Sequence, residues 1–196
     1  MDIPLLRPKV SVVGTRKPTE AGIRETKAIV SMLVDENVTV VSGLAMGIDT
    51  IAHRTTITQR GLTVAVLGTP LNMQYPKSNY NLQNEIAAGH LLVSQFPTGY
   101  PINKGNFVRR NRTMALISNA TVIVEAGEGS GTIHQGWEAL RLGRPLFVCR
   151  PAAEVRPAWL KEMVQYGARI LTDYQDILNE IPLGIKLVDI FVEPAS

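Results

Sequence analysis

Short runs of apolar, mostly β-branched residues alternate along this chain with longer segments of helical periodicity. The strand-like runs lie at residues 10–13, 38–41, 63–67, 91–94, 121–125 and 146–149, with a weaker run at 168–171. They are nearly continuous in apolar residues, which is typical of strands covered on both faces. The intervening segments, which predict helices, lie at residues 20–36, 46–60, 78–88, 107–118, 131–142 and 157–166.

This alternation predicts βαβ units and therefore an α/β fold, with a mostly parallel sheet of about seven strands and helices on both faces. The sequence contains no internal repeat and no linker rich in Pro, Gly or Ser. Residues 1–183 are therefore predicted to form one domain, and residues 184–196 a short C-terminal tail or an extra strand.

The composition narrows the classes of protein that fit this pattern. Of the 196 residues, 45% are hydrophobic and 19% are charged, which excludes wholesale disorder. A single cysteine, Cys149, excludes a disulfide framework and a multi-cysteine metal site, and three scattered histidines give no zinc-binding spacing. We expect no metal and no cofactor. Without an apolar run of membrane-spanning length or a signal-peptide pattern, we also expect a cytoplasmic protein with no membrane partner.

Glycine-rich loops follow several of the predicted strands. In open parallel sheets, ligands bind beyond the carboxyl ends of the strands, and a loop that opens a helix there offers free N–H groups to anions. The three loops concerned begin at Gly14, Gly43 and Gly127. Together they favour phosphate binding, although each alone is also ordinary turn chemistry. The glycine spacing G-x-G-x-G after the fifth strand does not match the dinucleotide fingerprint, and the P-loop sequence is missing.

The segment 104–112 carries four positive charges and no acid. If a helix begins near Asn106, Arg109 and Arg112 lie on one side of it and Arg110 points elsewhere. Guanidinium groups are forked donors suited to phosphate oxygens. Phe107 could stack on an exposed base, as in single-strand binders, or belong to the core.

Three acidic or nucleophilic positions allow both a catalytic and a structural interpretation. Asp49 and His53 are four residues apart, and we favour a local hydrogen bond between them over an acid/base pair. Glu125 is either a general base or a cap for nearby backbone N–H groups. Ser130 could be a nucleophile only beside a base that the sequence does not show.

The ordered set of motifs resembles the DprA/Smf family of DNA-processing proteins. The resemblance covers about residues 8 to 180 and rests on VSVVGTR, VVSGLAMGIDTIAH, YPKSNYNL, VSQFPTGYPINKGNFVRRNRTMALIS, VIVEAGEGSGT and GRPLF. It implies an extended Rossmann-like fold that binds single-stranded DNA, protects it and helps to load a RecA-type recombinase during DNA uptake, commonly as a homodimer and not as an enzyme. By motif, the implied DNA- and phosphate-binding residues are Gly14, Thr15, Arg16, Ser42, Gly43, Lys104, Phe107, Arg109, Arg110, Arg112, Gly129, Ser130, Gly131 and Thr132.

This chain departs from the family pattern in places. Gln95 stands where the family usually has Glu, Pro70 replaces a usual Gly, and His134 and Gln135 stand where small residues commonly follow the glycine loop. Many members also carry a helical domain before this fold and a winged-helix domain after it, whereas few residues precede the first predicted strand here.

Two other functions fit the same superfamily. Phosphoribohydrolases of the LOG type, which cleave nucleoside monophosphates, have a signature resembling PGGxGTxxE. Aligning Gly131 and Thr132 with its GT places Gln135 at the catalytic Glu, and a glutamine cannot serve as a general base. A nucleotide-sensing module that binds a small phosphorylated ligand is the other alternative.

The charge distribution favours a polyanion. The chain has a formal charge of +3, yet residues 173–196 hold five acidic side chains and one basic side chain, so the preceding part has a larger positive excess. Because Arg16 and the segment 104–112 follow different strands, their charges are spread over a distance that suits several phosphates of a strand.

Overall fold

The computed structural model describes residues 6–154 and 157–182, and within them the strands form one seven-stranded sheet. In chain order the strands are β1 (Lys9–Val13), β2 (Thr39–Ser42), β3 (Thr63–Leu67), β4 (Leu91–Ser94), β5 (Ala120–Ile123), β6 (Leu146–Val148) and β7 (Arg169–Ile170). Their order across the sheet is β4-β3-β2-β1-β5-β6-β7, and every neighbouring pair is parallel. All seven predicted strands are confirmed, with shifts of one or two residues at their ends. The predicted tail at 184–196 lies outside the described residues.

The helices follow the predicted pattern with two additions. They are α1 (Glu20–Asp35), α2 (Ile48–Thr58), α3 (Tyr80–Gly89), α4 (Lys104–Ile117), α5 (Gly131–Arg141), α6 (Arg150–Ala153), α7 (Ala158–Gln165) and α8 (Gln175–Asn179). The short helices α6 and α8 were not predicted, since four or five residues are too few to show a helical period.

Helix α4 begins three residues earlier than the sequence pattern indicates. The Asn103 side chain accepts a hydrogen bond from the backbone N–H of Asn106 at 3.2 Å and so caps the helix. Lys104 is therefore the first residue of α4 and not part of the preceding loop.

The sheet is covered on both faces, as predicted. On one face, Val10, Val12 and Val40 pack with α1, α2 and α8, and the end of β3 packs against α3. On the other face, residues of β1, β2 and β3 pack with α4, α6 and α7. These residues are Val13, Val41, Val64 and Val66. Double coverage explains why the central strands read as continuous apolar runs.

Chain order reverses beside β1. From β1 the chain builds towards β4 on one side and then returns to add β5 to β7 on the other side. Such a reversal leaves a crevice beyond the carboxyl ends of the two strands that flank it, where open α/β sheets bind ligands. Within the described ranges, no helix is both long enough and apolar enough to cross a bilayer.

Candidate functional site

A groove of about 450 Å³ opens at the carboxyl edge of the sheet, beside the reversal between β1 and β5. One wall is the loop after β1, the opposite wall is the start of α5, and one face of α4 runs between them. The lining residues are Val13, Gly14, Thr15, Arg16, Lys17, Ala45, Asp49, Phe107, Val108, Arg110, Asn111, Met114, Ser130, Gly131, Thr132 and Gln135. We call this surface the groove.

Most of the site residues expected from the sequence meet in this one place. Gly14, Thr15, Arg16, Phe107, Arg110, Ser130, Gly131 and Thr132 all line the groove. They come from three separate segments that the parallel strands bring to a common edge. Gly43 lines a smaller pocket of about 40 Å³ that adjoins the groove and shares Arg16, Phe107 and Arg110 with it.

The remaining expected residues lie outside the lining of the groove. Ser42 is fully buried, and its hydroxyl donates to the carbonyl of Val12 at 2.7 Å, so it ties β2 to β1 beneath the loop. Gly129 lies in the exposed loop before α5. Lys104 is exposed one turn before Phe107, on the same face of α4, and does not line the groove.

The three arginines of α4 point in different directions. Arg109 is exposed, donates to the Tyr100 hydroxyl at 3.1 Å, and lies 5.5 Å from the centre of the Phe96 ring. Arg112 is also exposed and forms an ion pair of 3.6 Å with Glu138 on α5. Both lie on the opposite side of the helix from Phe107. The expected divergence of Arg110 from this pair is confirmed.

Arg110 is buried at the floor of the groove, with 7% of its surface exposed. Its Nη1 donates to the carbonyls of Gly43 and Val66, and its Nε donates to Asn111 Oδ1 at 3.1 Å. Burial lowers the pKa of Arg110, and the nearby carboxylate of Asp49 opposes that shift. Through these two carbonyls, the Arg110 guanidinium holds the loop after β2 and the end of β3 against α4.

Asp49 is the only acidic residue that lines the groove in the described part of the chain. Its Oδ2 accepts from the backbone N–H of Ala45 at 3.2 Å. Burial raises the pKa of Asp49, whereas the positive charge of Arg110 acts to lower it. The carboxyl therefore organises the loop that precedes α2.

The expected hydrogen bond between Asp49 and His53 does not form. His53 is fully buried one turn further along α2, and its Nδ1 lies 2.7 Å from Thr63 Oγ1. That hydroxyl donates to the carbonyl of Val40, so His53 Nδ1 carries the proton and donates. Burial, assisted by the charges of His90 and Arg110, lowers the pKa of His53 to about 3. The imidazole is neutral and joins α2 to β3.

Glu125 caps the start of α1, which was one of its two interpretations. Its Oε2 accepts from the backbone N–H of Thr19 at 3.0 Å and from the Thr19 hydroxyl at 3.2 Å. Thr19 in turn accepts from the N–H of Gly22 and completes the helix cap. This carboxylate is therefore occupied by structural contacts outside the groove.

An aromatic pair borders the groove on the side of β3. The rings of Tyr75 and Phe107 have centroids 5.3 Å apart and are tilted by 47°. A Cβ placed on Gly68 would lie 2.5 Å from Phe107 Cδ1, so glycine is needed for the ring to lie against the end of β3. Phe107 is half-buried and presents its remaining ring surface to both the groove and the smaller pocket.

Several lining residues were not among the binding residues expected from the sequence. Lys17, Asn111 and Gln135 line the groove, and Tyr75 lines the smaller pocket. Lys17 follows the expected Arg16 directly and could have been found from its place in the same loop. Tyr75 opens the YPKSNYNL motif, but its contact with Phe107 could not be found from the sequence, because it depends on the path of the loop between β3 and α3.

This chain is similar to known proteins in both its sequence and its fold. A family model described as DNA recombination-mediator protein A matches residues 2–182. The chain is 38% identical over 183 residues to Protein Smf of Synechocystis sp., covering 93% of this chain and 46% of that relative. It therefore spans about half the length of this curated relative.

Two solved structures share both the fold and detectable sequence identity. The X-ray structure of DNA processing protein A from Streptococcus pneumoniae has a TM-score of 0.81 at 35% identity, over 90% of this chain and 62% of that one. DNA processing protein A from Helicobacter pylori, described for its single-stranded DNA binding mode, has a TM-score of 0.79 at 28% identity. The match covers 90% of this chain and 81% of that one.

Proposed function

The chain belongs to the DNA recombination-mediator protein A family, the DprA/Smf proteins, and from that premise we propose that it binds single-stranded DNA in the groove. The observation that supports this most strongly is the meeting of Arg16, Lys17 and Phe107 with the start of α5 at one edge of the sheet. Cationic side chains and helix N–H groups bind phosphates, and an accessible ring stacks on bases of any sequence. A strand with little sequence preference fits this combination.

The proposed DNA path runs along the groove and onto α4. Arg16 and Lys17 are exposed and contact phosphates directly, while buried Arg110 supports the floor. Lys104 extends the path by one helical turn. Arg109 and Arg112, on the far side of α4, contribute to the electrostatic attraction at longer range.

We propose binding rather than catalysis as the activity. A phosphoribohydrolase of the LOG type needs a carboxylate at the start of α5, where this chain has Gln135. Glu138 cannot replace it, because it pairs with Arg112 and with Arg141 at 2.8 Å. Incubation with AMP is therefore expected to release no adenine; appreciable release would favour the hydrolase.

Protection of incoming DNA, dimerisation and loading of a RecA-type recombinase are further proposals, supported by family membership. This chain spans 46% of Protein Smf of Synechocystis sp. and 62% of the Streptococcus pneumoniae protein. Nuclease digestion of a bound strand and sedimentation of the free chain test the first two directly.

The binding proposal is tested with fluorescently labelled oligonucleotides of one sequence, presented as a single strand and as a duplex. We expect tighter binding of the single strand, because the ring of Phe107 needs an unstacked base and a duplex hides its bases. Equal affinity for both forms, or no affinity for either, would contradict the proposal.

A further inference from the structure

The wall of the groove formed by the start of α5 contains polar atoms without a hydrogen-bond partner. Within the described residues, Gln135 Nε2, Gln135 Oε1 and Ser130 Oγ are buried and have none. Gln135 is 1% exposed, and both residues line the groove. Buried polar groups are rarely left unpaired, because they have lost water without gaining a replacement. A ligand that supplies partners would relieve this cost.

The chemistry of an amide indicates what that ligand group must be. Phosphate oxygens only accept hydrogen bonds, so a phosphate would satisfy Gln135 Nε2 and leave Gln135 Oε1 unpaired. The group needed here must present a donor and an acceptor side by side. Nucleobase edges do this, and a glutamine amide binds such an edge through two hydrogen bonds.

We propose that Gln135 binds the edge of an unpaired nucleobase, an inference that rests on the proposed binding of single-stranded DNA. The surrounding groups provide for the rest of the nucleotide. Arg16 and Lys17 are available to its phosphates, and Phe107 offers a ring on which a neighbouring base stacks. Gln135 therefore adds a hydrogen-bonded base contact to a site that otherwise binds phosphates and stacks a base.

This contact is compatible with binding of many sequences. Every base carries a donor and an acceptor next to each other on its pairing edge, and an amide can rotate to match either order. In a duplex those edges are occupied by the opposite strand. Gln135 thus makes the groove select unpaired bases.

The start of α5, which carries Gln135, is held in place by α4. Asn111 on α4 donates from Nδ2 to the carbonyl of Gly131 at 2.9 Å and so holds the start of α5 against α4. Asp49 faces the same groove, but it is engaged by the N–H of Ala45. Because the Gln135 amide is buried, a base that enters the groove must displace the side chains beside the amide to reach it.

The test replaces Gln135 with leucine, which has a similar size and no polar atoms. Binding is measured to an oligonucleotide and to an abasic strand of the same length, which keeps every phosphate. We expect Gln135→Leu to weaken binding to the base-bearing strand about tenfold, the loss of one bidentate contact, and to leave the abasic strand unaffected. We also expect the melting temperature to stay the same or rise, because two unpaired buried atoms are removed.

Controls separate this inference from the proposed function. Gln165 is an exposed glutamine on α7, outside the groove. Gln165→Leu should therefore change the affinity for neither the base-bearing strand nor the abasic strand. Gln135→Met serves as a second apolar replacement if the leucine variant does not fold. Equal losses on both strands, or no loss on either, would overturn the base contact while leaving strand binding intact. A wild-type chain that binds no single strand would overturn the proposed function and the inference together.

Discussion

Arg110 shows how a buried charged side chain can support the proposed binding site without a direct contact to DNA. Its guanidinium is surrounded by the carbonyls of Gly43 and Val66 and the Asn111 amide, beneath the surface that Arg16 presents to solvent. The groove therefore has an inner layer that fixes backbone and an outer layer that is free to bind. A loss of DNA binding in an Arg110 variant would therefore reflect a change in the inner layer and not the loss of a direct contact with DNA.

Replacement of Arg110 by methionine is expected to lower the free energy of unfolding by about 3 kcal/mol, because buried carbonyls lose their donors and Asp49 keeps a buried carboxyl without a neighbouring cation. The matched control is Arg109→Met, on the exposed side of the same helix, with an expected change within about 0.5 kcal/mol. Urea unfolding of both variants checks this. Equal losses would show that Arg110 has no special structural role.

His53 gives the fold a dependence on pH. Its pKa is about 3 in the folded chain, and the ordinary value of 6.5 applies after unfolding. Below about pH 6.5 the unfolded chain therefore takes up a proton that the folded chain does not, and stability falls as the pH falls. Between pH 7 and pH 5 this one group should cost about 2 kcal/mol.

The measurement compares urea unfolding of the wild type and His53→Asn at pH 7 and pH 5. The difference in stability, wild type minus variant, should shrink by about 2 kcal/mol at the lower pH, the cost calculated from the single proton. Carboxylates elsewhere titrate in both proteins and cancel. A difference that is the same at both pH values would mean that His53 becomes charged within the folded chain.

Residue types and spacing predicted which side chains gather here better than they predicted contacts. Arg16 and Phe107 were found because they follow strands or lie on a recognisable helix. The partner of His53 was not found, since Thr63 comes from a different strand and only the packing of α2 on the sheet brings the two together. Polar contacts between elements depend on rotamers that no local pattern encodes.

At the scale of the elements, the groove depends on close approach of α4 to the end of β3. Gly68 makes that approach possible, because a Cβ at this position would meet the ring of Phe107 at 2.5 Å. The periodicity of the sequence predicted the middle of α4. The first residue of the helix is set instead by the Asn103 cap. A helix that begins at residue 104 presents Lys104 and Phe107 on one face.

Gly68→Ala should push the Phe107 ring away from its place and weaken binding of a single strand about tenfold, the contribution of one base stacked on an aromatic ring. The control is Gly89→Ala at the end of α3, where an added Cβ meets no atom within 4 Å. Fluorescence anisotropy with one labelled strand measures both. If the two variants bind equally well, stacking on Phe107 contributes nothing.

At the scale of the whole molecule, the sequence predicted more of the structure than it did at the scale of single contacts. Alternating runs and helical segments are enough to indicate a parallel α/β sheet with covered faces, because hydrophobic burial has to match the period of each element. The order of the strands cannot be read from those periods. Pairing of β1 with both β2 and β5 creates the crevice, and it is this long-range choice that assembles the groove from three loops.

Charge is also organised at this scale. The formal charge of +3 conceals an acidic C-terminal stretch and a basic remainder. Part of that basic remainder lies at the carboxyl edge of the sheet, where Arg16 and Lys17 line the groove. Association with a strand should therefore be sensitive to salt.

The most direct test of the central claim, that a DNA strand lies in the groove, is the salt dependence of single-strand binding by the wild type, Arg16→Ala and Arg141→Ala. Arg141 is an exposed arginine that pairs with Glu138 away from the groove. We predict that Arg16→Ala weakens binding and lowers the slope of log affinity against log salt by about 0.7, the loss of one phosphate contact, while Arg141→Ala follows the wild type. Identical slopes for all three proteins would contradict the proposed location of the strand.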